Sequence, residues 1–144
     1  TDTRRKTAAA TLAVDGRTVR MVACAKGSGM IHPDMATLLA FVACDARVAP
    51  DVLDRAFRHA ADRSLNCMTV DGDTSTNDTA LILANGRGGV DIAAGSPAEA
   101  AFTAALTELL QEIARQLARD GELVVSMCQE GLMRVAEPAP VPAG

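Results

Sequence analysis

The dipeptide Asp15-Gly16 constrains this chain more than any other pair of residues. It separates Ala8 to Val14, which alternates loosely, from a second apolar-rich run, Thr18 to Ala25. An Asp-Gly step between two such runs is a strong hairpin signal, because both residues accept the positive φ of a tight two-residue turn. The second strand then returns along the first and delivers Lys26 at its end. Thr37 to Cys44 is a continuous apolar run, expected as a strand covered on both faces. Pro50 opens a helix with Val52, Leu53, Ala56, Phe57, Ala60 and Ala61 on one stripe, fading at Arg63-Ser64. Leu65 to Val70 reads as a short strand, Asp71 to Asp78 as a polar loop, and Thr79 to Ala84 as a further strand.

Asn85-Gly86-Arg87-Gly88-Gly89 reads as a flexible connection. Ser96-Pro97-Ala98-Glu99 is a capping box with Pro at the first helical position. The helix it opens is expected to reach about Arg119 and stop at Gly121. Strands and helices interleave throughout, so the class is α/β or α+β. A chain of 144 residues fits one domain.

Lys26 introduces the stretch with chemical character. Lys26-Gly27-Ser28-Gly29-Met30-Ile31-His32-Pro33-Asp34-Met35-Ala36-Thr37 is a glycine-punctuated loop that stiffens at Pro33 and runs into the strand from Thr37. A hydroxyl preceded by the compact Ala36 thus stands at a loop-to-strand junction beside a lysine. Pattern alone favours a simpler account, since a threonine at a strand start is in its preferred setting.

Composition removes several functions. The net charge is −4, and the only basic cluster is Arg4-Arg5-Lys6, which argues against nucleic acid as the main partner. Three Phe and no Trp or Tyr leave no stacking platform for bases and call for an aliphatic core. No apolar run reaches 18 residues and no signal peptide is evident, so no membrane is expected. Cys24, Cys44, Cys67 and Cys128 are widely spaced, which suits buried free thiols in a reducing cytoplasm.

Asp71-Gly72-Asp73-Thr74-Ser75-Thr76-Asn77-Asp78 offers oxygens in the order of a calcium loop. Thr76 stands where such loops need Gly, and Ile82 where they need Glu. The segment also precedes a strand rather than a helix, so a self-bonded turn is expected and no metal. His32, five residues before Thr37, has no Asp at a triad spacing and reads as a bystander. His59 lies beside the stripe of the Pro50 helix and is expected to be partly exposed.

Two long stretches, in register, carry a resemblance. They are Lys26-Gly27-Ser28-Gly29-Met30-Ile31 continuing through Pro33 and Met35-Ala36-Thr37-Leu38-Leu39, and Thr69-Val70-Asp71-Gly72-Asp73-Thr74-Ser75-Thr76-Asn77-Asp78-Thr79. With Thr1-Asp2-Thr3 and Asp120-Gly121-Glu122 at compatible spacing, the chain resembles the ornithine acetyltransferase family over roughly residues 1 to 122. The resemblance implies the central part of a layered α/β fold, shared with self-processing aminopeptidases. It implies residues 1–127 as one partial domain, cut between Ala36 and Thr37, with 128–144 divergent; from its Pro/Ala-rich composition, Glu137 to Gly144 reads as a disordered tail.

The same resemblance implies chemistry. A threonine hydroxyl needs a base, and freeing its own α-amine supplies one. In the family the precursor cuts itself at the matching Ala-Thr bond. The new N-terminal threonine then takes acetyl from N-acetylornithine and passes it to glutamate, an early step of arginine biosynthesis. Carried over, Thr37 is the nucleophile and Lys26 pairs with a substrate carboxylate. Glu122 helps bind the ornithine side, although Leu123-Val124-Val125-Ser126 departs from the family there. The residue matching a further substrate-binding threonine precedes Thr1.

No cofactor is implied, though some family members also accept acetyl from acetyl-CoA. The two cleavage products are expected to stay associated, in a homo-oligomer. The oxyanion hole is a Thr-Gly pair upstream of the segment matching Thr1, and further substrate contacts lie downstream, so this chain alone is expected to be inactive. The alternatives are a non-catalytic remnant of the family, or a self-processing aminopeptidase using the same Thr37.

Overall fold

The computed structural model describes residues 4–27, 38–67 and 78–120. The opening hairpin pairs β1 (Lys6–Val14) with β2 (Arg17–Lys26) antiparallel, in unbroken register from Val14↔Arg17 to Lys6↔Ala25. Asp15 and Gly16 turn it at φ 48° and 76°, the two positive values that match the twist of the flanking strands. β3 (Leu39–Cys44) pairs antiparallel with β2, and β5 (Thr79–Ala84) pairs parallel with β3. The sheet order is therefore β1-β2-β3-β5, a mixed sheet. A short parallel pair, β4 (Arg47–Val48) with β6 (Asp91–Ile92), stands apart from it.

Two helices complete an α+β architecture. α1 (Pro50–Asp62) carries Pro at its start and buries Val52, Ala56 and Ala60, the centre of the expected stripe. α2 (Pro97–Asp120) buries Phe102, Leu106, Leu109, Leu110, Ile113 and Leu117, a helical spacing that lines one face. α2 packs on β1 and β2, and α1 packs against α2. Beneath them lie Val19, Met21, Ala23, Ala40, Val42 and Cys44 from the sheet. The core is aliphatic as expected, with Phe102 its one fully buried aromatic among the described residues.

Several expectations change. Of the strand expected over Leu65 to Val70, Leu65 to Cys67 forms a 3₁₀ turn, because Cys67 N–H bonds back to the Ser64 carbonyl at 3.1 Å, and 68–70 lie outside the described residues. β3 is covered on one face only; its alternate residues Phe41 and Ala43 are exposed. Val22, Phe41, Leu81 and Leu83 are between 43% and 62% exposed, and all four lie on the sheet face opposite the helices. Cys24 shares that open face, so only Cys44 among the described cysteines is buried; burial pushes its thiol pKa up. Asn85 to Gly89 is an ordered turn, with Gly88 N–H on the Asp45 carbonyl at 2.7 Å. At α2, Ser96 Oγ accepts the Glu99 N–H, but the Glu99 carboxylate reaches the Gly95 N–H, one residue earlier than a standard capping box. That N–H and Arg55 hold its carboxyl below the usual range. No helix among the described residues is long and apolar enough to cross a membrane.

The basic cluster at the chain start is not all solvated. Lys6 is fully buried and pairs with Asp120 at the far end of α2. Its Nζ also donates to the Arg4 carbonyl at 3.2 Å. Next to it, the Gln116 carboxamide accepts the Thr7 N–H at 2.9 Å and donates to the Thr7 carbonyl at 3.0 Å. The end of α2 is thereby tied to the start of β1. Asp120→Ala is expected to cost about 3–5 kcal/mol in denaturant unfolding, because it removes the carboxylate that faces a buried ammonium. Lys6→Met combined with Asp120→Leu should return stability close to wild type, since a desolvated pair contributes little net energy.

Candidate active site

Three described strands that border the segments singled out in the sequence begin or end at one end of the four-stranded sheet. β2 ends there at Lys26, and β3 and β5 begin there at Leu39 and Thr79. The register pairs Lys26 with Leu39, and Leu39 with Thr79, in one row across the sheet. α2 also ends there, held through Asp120 to Lys6, whose own partner is Ala25. Lys26 is exposed on the open face of the sheet.

The backbone at this end is held tightly. Leu38, the residue after Thr37, donates its N–H to Asp78 Oδ1 at 2.8 Å. Its carbonyl accepts the Thr79 N–H at 2.9 Å. Gly27 follows Lys26 with φ +156°, close under the last turns of α2. A Cβ added there would stand 3.5 Å from Leu117 Cδ2 and 3.6 Å from Leu38 Cα. Room for a methyl group exists, so what Gly27 supplies is a backbone conformation that side chains disfavour.

Of the expected site residues, Lys26 stands at this sheet end. Ala36, Thr37 and Glu122 lie outside the described residues, as do His32 and 71–77 of the polar loop. The structure instead fixes their neighbours: Leu38 follows Thr37 directly, and Asp120 precedes Glu122 by two positions. Ile82, the twelfth place of the would-be calcium loop, sits within β5. Among the described residues no group of three or more His, Cys, Asp or Glu could hold a metal ion. His59 is exposed on α1, beside a shallow groove of about 470 Å³ also lined by Arg55, Ser96 and Glu99. That groove lies at the opposite end of α2 from Asp120, and its Arg55 and Glu99 satisfy each other at 2.6 Å.

Sequence reading did not foresee Asp78 as a backbone clamp. The signal was its place as the last polar residue before a strand, where Asp commonly binds a nearby N–H. Its partner, forty positions earlier, has no local mark.

The ArgJ family model matches residues 1–130. The chain belongs to the ArgJ family. Curated proteins named arginine biosynthesis bifunctional protein ArgJ are similar to it over most of its length. One from Symbiobacterium thermophilum is 55% identical over 123 residues, covering 85% of this chain and 31% of that protein. One from Methylococcus capsulatus is 48% identical, covering 85% and 30%. A mitochondrial ArgJ of Chaetomium globosum is 48% identical over 126 residues, covering 85% and 27%. The chain thus spans less than a third of the length of these ArgJ relatives.

Gly27→Ala is expected to lower stability by about 1–3 kcal/mol, the range for a non-glycine residue held in a glycine conformation. Denaturant unfolding measures it. A loss near zero would show that the turn after Lys26 accepts an ordinary backbone.

Proposed function

We propose that this chain carries the self-processing and acetyl-accepting segment of an enzyme that moves acetyl from N-acetylornithine to glutamate. The observation that carries the reading is the row Lys26–Leu39–Thr79 at the sheet end. It pairs Lys26 with Leu39, which follows Thr37 by two positions in the sequence, in a chain of the ArgJ family. The names of the relatives, arginine biosynthesis bifunctional proteins, agree with it.

The Thr37 hydroxyl attacks the Ala36 carbonyl carbon. The C–N bond to Thr37 breaks as an ester forms, and the freed amine takes the proton. Water hydrolyses the ester, leaving residues 1–36 and 37–144. The α-amine of Thr37 then serves as base for its own hydroxyl. That hydroxyl attacks the acetyl carbonyl of N-acetylornithine, ornithine leaves as the amine, and an acetyl-threonine ester remains. The α-amine of glutamate attacks the ester and restores the hydroxyl. Lys26 pairs with the carboxylate of each amino acid in turn, and Glu122 with the ornithine ammonium. The cycle itself needs no cofactor; acetyl-CoA is a further possible donor. The two products stay together within a homo-oligomer, in the cytoplasm. Because the chain spans less than a third of its relatives, turnover is expected only with the flanking segments supplied. Absence of even one oxyanion donor lowers rates about 10²–10³-fold.

Thr37→Ala should abolish any fragment beginning at Thr37, and Thr37→Ser should retain some cutting, as read by intact mass and N-terminal sequencing. Cutting in Thr37→Ala would overturn the nucleophile, and hydrolysis of peptides without acetyl exchange would favour an aminopeptidase. Lys26→Ala should weaken binding of N-acetylornithine about 10- to 150-fold, the loss of one charge-assisted hydrogen bond. Calorimetry on the reconstituted protein measures it, with unfolding unchanged because an exposed lysine contributes little packing.

A further inference from the structure

We propose that the Lys6–Asp120 pair locks the register of the first hairpin on the rest of the sheet, and through that register positions Lys26. The part that concerns Lys26 rests on the reading of its ammonium as the cation that meets substrate. Side-chain alternation fixes register only in part. A one-residue slip turns apolar side chains out of the core, but a two-residue slip returns every side chain to its own face. Such a slip of β1 and β2 together along β3 would carry Lys26 about 7 Å along the sheet. It would leave its row with Leu39 and Thr79.

The other contacts of the hairpin select weakly between these registers. On the helix-covered face its end near Lys26 presents Ala8 and Ala10 from β1 and Ala23 and Ala25 from β2. Each pair lies two residues apart, so a slip exchanges like for like. Leu12 and Met21 would trade places with alanine and resist by size, although Met fills irregular space. Gln116 holds the N–H and carbonyl of Thr7, and Asp45 Oδ1 accepts the Arg20 N–H at 2.7 Å. Strand backbone repeats every two residues, so a slipped hairpin offers Ala9 and Thr18 in their place. Lys6 and Asp120 differ because their side chains recognise each other, at 0% and 2% exposure. A slip one way leaves the Asp120 carboxylate facing Ala8. A slip the other way takes the Lys6 ammonium to the place of Ala8, under α2. Either strands a buried charge, which disfavours slipped registers about a hundredfold or more.

The test uses Lys6→Met combined with Asp120→Leu, the variant expected to keep near wild-type stability. Cross-strand nuclear Overhauser contacts in isotope-labelled protein report the register. Wild type should show one set, with Ala23 opposite Val42 and Lys26 opposite Leu39. The double variant should show a second set, Ala23 opposite Ala40 or Cys44, in about a tenth of the molecules or more. Lys6→Arg, which keeps a cation for Asp120, should show the single set. Should the double variant fail to fold, Asp120→Asn removes the charge with little change of shape and should give the same second set. One set alone in whichever of these two variants folds overturns the lock, and so does a second set in wild type. The reading beneath fails separately. Lys26→Ala that binds N-acetylornithine as tightly as wild type, in the reconstituted protein, overturns the part that concerns substrate alone.

Discussion

The packing of α2 across the first hairpin is the interaction on which the rest of this structure depends. Phe102, Leu106, Leu110, Ile113 and Leu117 repeat at helical spacing and meet Val19, Met21 and Ala23, which repeat at strand spacing. Neither surface is stable alone; each exists because the other removes it from water. The contact also fixes where α2 ends. Lys6 with Asp120, Thr7 with Gln116, and Gly27 under Leu117 all lie in its last turns. The helix thereby sets the geometry of the sheet end where Lys26, Leu38 and Asp78 meet.

Elements with a local cause were legible in the sequence. Asp15-Gly16 makes its turn from its own backbone preferences, and Pro50 and Ser96-Pro97 start helices for reasons contained within a few residues. Leu65 to Cys67 was not legible in this way. Its apolar character suits a strand, but the Ser64 carbonyl, just beyond α1, draws Cys67 back into a tight turn. Cover on both faces of β3 was inferred from a continuous apolar run, and such a run is equally compatible with one apolar face left open. Lys6 shows the limit most clearly. Beside Arg4 and Arg5 it reads as a surface charge, and its buried partner stands 114 positions away.

The candidate site divides along the same line. Lys26 was visible because a hairpin must deliver its last residue somewhere, and the loop after it carries family wording. Asp78 was visible only as one member of a polar run. What singles it out is its meeting with Leu38, and that follows from the parallel register of β3 and β5, a crossover that no short pattern encodes. Residues whose role comes from a turn can be found by reading along the chain, and residues whose role comes from strand order cannot.

The Gln116 side chain has a consequence for solubility. Among the described strands β1 stands at the sheet edge, and an edge strand offers N–H and C=O groups on which a foreign strand can grow. At Thr7 both groups are already occupied by one carboxamide, which imitates a neighbouring peptide but cannot continue as one. Any strand recruited to that edge would have to displace a side chain anchored on α2, the longest helix among the described residues. Fibril growth is thus opposed at the start of β1 by a cap that the fold supplies from within.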